Sequence, residues 1–279
     1  MRIPIILLIS SCLLSAAPTA KLEVLTAAKA KQSKFHGFPR YDFKLPGNTF
    51  GCTVVTPKAA AQGLPWIWRA RFFGHQPALE ISLLNQGYHV CYVDVSNLFG
   101  GAAAMKRGDQ FYTFVTDQLG LKKKAVLEGM SRGGLFIFNY AALHPDRVSA
   151  VYGDNPVCDF KSWPGGKNGK FSKNEWQRCL KEYGINEEEA KTHPQITDAK
   201  HAEKLKGIPV ALVLGTADDV VPPKENGDVL AKNLKDLKSP VKVWHKPGKG
   251  HHPHGLSPVE PLVKYLMEAD GVKPAAVTK

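Results

Sequence analysis

The segment Val126–Phe138, VLEGMSRGGLFIF, decides how the rest of the chain is interpreted. One apolar run stops at Gly129 and another begins after Gly133, with Ser131 between the two glycines. Side chains at the two glycine positions would collide with the strand and the helix that a sharp turn brings together. The pattern predicts a strand, a tight turn and a helix that hold the Ser131 hydroxyl clear of the sheet.

Strand-like and helix-like segments alternate on both sides of this turn, from Tyr41 onward. Such alternation predicts an α/β fold with a mostly parallel central sheet flanked by helices. The polar segment 154–206 is too long for a simple connection, and we predict it to be a loop and helix insertion, or cap, after the sixth strand. It begins just past a strand's carboxyl end, where open α/β sheets place their ligand sites.

The 279 residues fit one large domain or two small ones, and we predict a single α/β domain over residues 41–269. The lysine- and alanine-rich residues 21–40 are interpreted as a lead-in to this domain. Residues 270–279 are expected to form a flexible tail.

The amino terminus has the order of a secretory signal peptide. Arg2 precedes the apolar run Ile3–Leu14, and small residues follow through Ala20, so residues 1–20 are predicted to be removed on export. The apolar run is too short to span a bilayer as a helix, which takes about 20 residues, so no stable membrane insertion is expected after cleavage. We expect a secreted or periplasmic protein; a lipoprotein anchored through Cys12 is the alternative.

The net charge of +12 does not indicate a nucleic-acid partner, because the lysines are spread along the chain and only Lys122–Lys124 form a run. Cys52 and Cys91 lie in apolar strand-like runs and are expected to be buried free thiols. Cys158 and Cys179 flank a polar, loop-rich segment, and in an oxidising compartment both a disulfide and two free thiols are compatible with the sequence.

A serine hydroxyl becomes a useful nucleophile when a base and an orienting acid accompany it. Downstream of Ser131, the run ALVLGTADDVVP places Asp218 and Asp219 just past a strand. The next strand is followed by three histidines, His251, His252 and His254. The chain order serine, acid, histidine is that of a strand-end catalytic triad. No cysteine or carboxylate lies at ligand spacing beside the histidines, so no metal site is predicted.

On these motifs, together with PWIWRARFFG, GDNPVCDFKSWPGG and GKGHHPHG, the sequence resembles the α/β-hydrolase superfamily over residues 40–268. More narrowly, it is similar to secreted bacterial hydrolases of the esterase and prolyl-oligopeptidase type. The resemblance implies that Ser131 is the nucleophile, His251 the general base and Asp218 the triad acid.

Alternatives remain for the acid and the base. Asp154, past the preceding strand, is the competing acid, while Asp219 is expected to cap or solvate its loop. His252 is the alternative base, and His254 is expected to pack or hydrogen-bond around the site. Glu128, directly before the first glycine of the turn, is expected to form an ion pair with an arginine.

An oxyanion hole needs two backbone amides directed at the developing charge. The resemblance places one at Arg132, the residue after the nucleophile. The second should come from the turn within Arg69–Gly74, and we assign it to Arg71. This turn departs from the His-Gly motif common in the fold, since WRARFFG contains none.

The substrate is less well defined. We assign Trp163, in the WPGG turn, and Arg69 to substrate binding, while Trp66 and Trp68 are expected in the core. The resulting hypothesis is a cofactor-free serine hydrolase acting on carbohydrate-linked or small carboxylic esters, including polysaccharide esters. A serine peptidase of prolyl-oligopeptidase type, acting on short peptides, is the alternative; a third hypothesis is a non-catalytic binding protein on a hydrolase fold.

Overall fold

A nine-stranded sheet forms the centre of the computed structural model, which describes residues 19–273. The strands, in chain order, are β1 (Lys31–Phe35), β2 (Phe38–Lys44), β3 (Gly51–Val55), β4 (Trp66–Ala70), β5 (His89–Val93), β6 (Ala125–Met130), β7 (Val148–Asp154), β8 (Val210–Gly215) and β9 (Val241–Lys246). Their order across the sheet is β1-β2-β3-β5-β4-β6-β7-β8-β9.

The sheet is antiparallel from β1 to β5 and parallel from β5 to β9. Every residue of the parallel strands β4, β6, β7 and β8 is buried, as expected for strands covered on both faces. The predicted fold class, a mostly parallel sheet flanked by helices, is confirmed.

Helices cover both faces of this sheet. The longer ones are α2 (Ala78–Asn85), α3 (Ala102–Thr113), α4 (Gly133–Leu143), α8 (Gly227–Asp236) and α9 (Glu260–Asp270). Leucines of α2 and α9 share one apolar cluster with one face of the sheet, and apolar residues of α3, α4 and α8 share the other. Short elements complete the chain: α1 (Glu23–Ala27), a π-helical turn after α3 (Phe114–Gln118), and 3₁₀ turns at Pro145–Arg147 and Pro223–Glu225.

The predicted insertion lies between β7 and β8. It contains α5 (Lys173–Tyr183), α6 (Glu187–Thr192), α7 (Ala199–Ala202) and a 3₁₀ turn at Glu203–Leu205. Its apolar residues form a small core of their own, in which Phe160 and Trp176 pack with Leu135 of α4. The insertion follows the seventh strand rather than the sixth, because residues 31–44 form two strands.

Part of the predicted lead-in and the first residue of the predicted tail belong to the folded domain. Residues 31–40 belong to the sheet as β1 and part of β2; β1, whose first four residues are exposed, has no apolar alternation that would reveal a strand. At the other end, Asp270 is buried: the Tyr88 hydroxyl donates to its carboxylate at 3.0 Å, and Lys122 Nζ lies 2.8 Å away. The predicted signal peptide, apart from Thr19 and Ala20, together with Cys12 and residues 274–279, lies outside the described residues.

The four cysteines in the described part of the chain are buried free thiols. Cys158 and Cys179 therefore do not form the disulfide that the sequence left open. Each packs inside an apolar cluster, Cys158 in the one that includes residues of α3, α4 and α8, and Cys179 in the core of the insertion. Between residues 19 and 273, no helix combines the length and apolar character needed to cross a membrane.

Candidate active site

Ser131 lies on the sharp turn between β6 and α4, in a left-handed backbone conformation with φ of +50°. A Cβ atom on Gly129 would lie 2.7 Å from the Gly133 carbonyl oxygen, and one on Gly133 would lie 2.6 Å from the Ala70 carbonyl oxygen. The two glycines are therefore required by the close approach of strand and helix, as the sequence predicted. The Ser131 amide donates to the Asp154 carbonyl oxygen at 2.9 Å, which fixes the turn against β7.

His251 connects the serine to an acid. Its Nε2 lies 2.9 Å from Ser131 Oγ, and its Nδ1 lies 2.7 Å from Asp218 Oδ2. In the tautomer with the proton on Nδ1, the ring donates to the carboxylate and its free Nε2 accepts from the serine hydroxyl. The structure thus brings together the three residues that the sequence assigned to a triad, in the geometry that activates a hydroxyl.

Asp218 is held rigidly in its loop after β8. Its side chain has no solvent exposure, and its other carboxylate oxygen accepts hydrogen bonds from the amides of Val220 and Val221 at 2.9 and 2.8 Å. Asp219, the next residue, is exposed to solvent. The loop therefore presents one carboxylate to the imidazole and the other to water.

Asp154, the alternative acid, contacts a different part of the histidine loop. Its Oδ2 accepts a hydrogen bond from the Gly255 amide, and its Oδ1 lies 3.4 Å from His254 Nδ1 and 3.8 Å from Lys246 Nζ. This arrangement makes Asp154 an anchor for the loop after β9. The geometry at His251 favours Asp218 as its acid.

Asn155 is a site residue that the sequence analysis missed. Its buried side-chain amide donates to the His251 carbonyl oxygen at 2.9 Å, and its side-chain oxygen accepts from the Gly215 amide at 2.7 Å. It therefore joins the end of β8 to His251. A polar residue directly after the strand-like run RVSAVYGD was the available signal.

A cavity of about 470 Å³ opens in front of Ser131. It is lined by Phe72, His75, Met130, Ser131, Arg132, Trp163, Val220, His251, His252 and His254. Trp163 is in this wall, where its assignment to substrate contact stays a prediction, and Arg132 lies over its ring with 4.6 Å between the guanidinium carbon and the ring centroid. Despite these histidines, no group of three or more His, Cys, Asp or Glu side chains within residues 19–273 is arranged to hold a metal ion.

Arg69 does not bind substrate as predicted, because its side chain is completely buried under the site. Its Nη1 lies 2.8 Å from Glu80 and 2.5 Å from Glu128, so Glu128 does pair with an arginine. Nη2 and Nε donate to three carbonyl oxygens of the turn after β4, those of Arg71, Phe72 and His75. The guanidinium therefore shapes the turn in which the second oxyanion donor was placed.

That turn has an unusual backbone. Arg71 and Phe72 both adopt positive φ, +59° and +49°. Ala70, directly before them, lies against Gly133 at the start of the nucleophile helix, so the turn borders the reacting serine. Phe72 lines the cavity while the Arg71 side chain turns away to donate to Asn97 Oδ1 at 3.2 Å. The assignment of the Arg71 and Arg132 amides to the oxyanion hole stays a prediction.

The fold and the Ser131–His251–Asp218 geometry define the chain as an α/β-hydrolase of the serine hydrolase class. A family model described as the prolyl oligopeptidase family matches residues 112–260, more than half of the 279-residue sequence. The chain belongs to the prolyl oligopeptidase family. No curated protein sequence gives a significant match.

Solved structures share the fold at low sequence identity. A puromycin-hydrolysing peptidase from Mycobacterium tuberculosis superposes with a TM-score of 0.64 and 17% identity, covering 89% of this chain and 40% of that one. An S-formylglutathione hydrolase from Agrobacterium tumefaciens superposes with a TM-score of 0.61 and 11% sequence identity, covering 85% of this chain and 95% of that one. A monoacylglycerol lipase from Paleococcus ferrophilus superposes with a TM-score of 0.52 and 20% sequence identity, covering 80% of this chain and 100% of that one. The chain thus spans about two fifths of the peptidase and nearly all of the lipase and of the S-formylglutathione hydrolase.

Proposed function

We propose that this protein is an exported serine hydrolase that cleaves carboxylic esters, carbohydrate-linked or small, through an acyl-enzyme on Ser131. The observation that carries the proposal is the pair of short contacts made by His251, 2.9 Å to Ser131 Oγ and 2.7 Å to Asp218. The adjoining cavity of about 470 Å³ supports it, because it gives an acyl group room to reach Ser131 beside the Trp163 side chain.

The reaction proceeds in two steps, acylation of Ser131 and hydrolysis of the acyl-enzyme. His251 Nε2 removes the Ser131 proton as Oγ forms a bond to the acyl carbon, and Asp218 stabilises the imidazolium. The backbone amides proposed for the oxyanion hole stabilise the alkoxide, which collapses and expels the alcohol with the proton returned by His251. Water then repeats the attack on the acyl-enzyme and releases the carboxylic acid.

A serine peptidase is the second candidate, favoured by the family and by the similarity to a puromycin-hydrolysing peptidase. The same triad cleaves amides, but an amide is a poorer substrate unless the enzyme positions its leaving group. The similarity to the monoacylglycerol lipase and the S-formylglutathione hydrolase, which the chain nearly covers in length, supports the ester hypothesis.

The nucleophile can be tested without knowing the substrate. A fluorophosphonate probe should label the wild-type protein and not Ser131→Ala, and hydrolysis of p-nitrophenyl acetate should fall by at least about 10⁴-fold in that variant. Ser33→Ala, at an exposed position on the edge strand β1, is the matched control and should behave as wild type. Hydrolysis that survives Ser131→Ala would eliminate the proposal.

A substrate panel then separates the two candidates. Acetylated and methyl-esterified polysaccharides and p-nitrophenyl acetate are compared with aminoacyl-Pro-nitroanilides. We expect kcat/KM to be higher for the esters. A higher kcat/KM for the nitroanilides would replace the esterase by the peptidase.

A further inference from the structure

The cavity beside Ser131 has a one-sided charge. Its lining side chains include one arginine, Arg132, and four histidines, His75, His251, His252 and His254, and none of the ten lining residues is an acid. The nearest catalytic carboxylate, Asp218, is shielded behind His251 and has no exposure. A substrate entering this cavity therefore meets neutral or positive groups on its polar walls.

Arg132 is held in a position to bind a ligand. Its guanidinium carbon lies 4.6 Å from the centroid of the Trp163 ring, which orients the guanidinium plane, and the side chain keeps 20% of its solvent exposure. Its counter-ion is Glu175 of α5, 3.0 Å away, and that carboxylate is shared with Arg178 at 3.5 Å. One carboxylate between two arginines leaves a net positive charge at the cavity wall.

Two neighbouring basic side chains lie where a positive charge is disfavoured. Burial, and after it the charge of Arg132, lowers the pKa of Arg71. In the described part of the chain, the buried Arg71 Nε has no hydrogen-bond partner. Partial burial, followed by repulsion from His254, His251 and His75, lowers the pKa of His252. A bound anion would offset both the burial and the repulsion that disfavour the charged forms of these groups.

We propose that the site selects substrates that carry a carboxylate near the scissile carbonyl, bound by the Arg132 side chain against Trp163. The guanidinium can donate two parallel hydrogen bonds to the two oxygens of a carboxylate. Hydrogen bonds from the guanidinium to a neutral group are weaker. The inference rests on the proposed function and narrows its substrate class to anionic esters.

A matched pair of substrates tests the selection. The mono-4-nitrophenyl ester of glutaric acid and the 4-nitrophenyl ester of its monoamide differ only in carboxylate against carboxamide. We expect kcat/KM to be higher for the acid by about tenfold, a typical effect of one well-placed charged hydrogen bond. A ratio of one or less, with hydrolysis of both esters still dependent on Ser131, overturns this inference and leaves the hydrolase proposal standing.

The ratio of kcat/KM for the glutarate monoester to kcat/KM for the monoamide ester should change in opposite directions when Arg132 and Glu175, the two members of the ion pair, are replaced. Arg132→Met should lower it about tenfold and Arg132→Lys by less, because lysine keeps the charge without the planar fork. Glu175→Gln should raise it, because Arg132 loses its competing carboxylate. Lys181→Met, which removes an exposed positive charge from the same helix α5, is the control and should change the ratio by less than about twofold.

A ratio that stays at its wild-type value in both Arg132 variants and in Glu175→Gln contradicts the assignment to Arg132. If neither ester is hydrolysed and the fluorophosphonate probe does not label Ser131, the hydrolase proposal fails and this inference falls with it.

Discussion

At the scale of single residues, the site separates two buried aspartates by what each one contacts. The carboxylate of Asp218 hydrogen-bonds to Nδ1 of the His251 imidazole. The carboxylate of Asp154 instead accepts a hydrogen bond from the Gly255 amide and lies close to His254. Both acids follow parallel strands, so the sequence placed them at the same edge of the sheet and could not choose between them by position. The hydrogen bond to the imidazole is what distinguishes a triad acid.

Replacement of Asp218 by asparagine should lower kcat by about 10³- to 10⁴-fold, because the amide no longer stabilises the imidazolium or the required tautomer. Steady-state kinetics on p-nitrophenyl acetate, with circular dichroism to verify folding, would measure the effect. Asp219→Asn, at the exposed neighbouring position, is the matched control and should remain within about twofold of wild type. A larger loss in Asp154→Asn than in Asp218→Asn, with the fold intact, would transfer the acid role to Asp154.

At the scale of elements, strands β4 and β6 and helix α2 meet at a buried cluster that contains one basic and two acidic side chains. Arg69 of β4 faces two carboxylates, Glu80 of α2 and Glu128 of β6. Burial raises the pKa of both, that of Glu128 to about 8 from an ordinary value of 4.5. One proton shared by the two carboxylates leaves the cluster neutral, since the arginine stays charged.

The free energy of unfolding should therefore depend on pH between about 4.5 and about 8. In this window the folded cluster keeps a proton that the unfolded chain releases, so stability falls as pH rises, by at most about 1.4 kcal/mol per pH unit, and the contribution levels off above pH 8. Urea denaturation of wild type and Glu128→Gln at several pH values would measure it, and the variant should lose this slope. Glu188→Gln, at an exposed position, should keep the wild-type slope; identical slopes in all three proteins would contradict the prediction.

Much of this arrangement follows from local sequence. The turn around Ser131 was predictable because two close approaches exclude side chains at Gly129 and Gly133. Strand ends near Asp218 and His251 were predictable because buried parallel strands are continuous apolar runs.

Other features depend on contacts between distant segments. Arg69 lies in a strand whose five residues are all buried, so no alternation shows which face its side chain takes, and its two acid partners come from other elements. Asn155 acts through loops that follow β8 and β9, far along the chain. Strand β1 was missed because edge strands need no apolar residues on their exposed positions.

At the scale of the whole molecule, the site lies where the carboxyl ends of β6, β8 and β9 meet the insertion between β7 and β8. The sheet supplies the reacting residues, and the insertion supplies Trp163 and the helix that carries Glu175. The three residues proposed for the triad thus follow strands of the sheet, while part of the cavity wall comes from the insertion, a division typical of folds that host many chemistries.

The charge of the whole chain gives the last prediction. The full sequence carries a formal net charge of +12 and the cavity beside Ser131 has no acidic lining residue, so an anionic ester should be attracted from a distance and a neutral one should not. Raising the ionic strength from about 0.01 M to about 0.1 M shortens the screening length from about 30 Å to about 10 Å. We expect kcat/KM for the glutarate monoester to fall several-fold over this range, mainly through KM, because screening weakens capture and leaves the chemical step unchanged. The monoamide ester is the internal control and should change by less than about twofold, whereas an equal decrease for both esters would show that salt acts on the enzyme and would refute electrostatic capture.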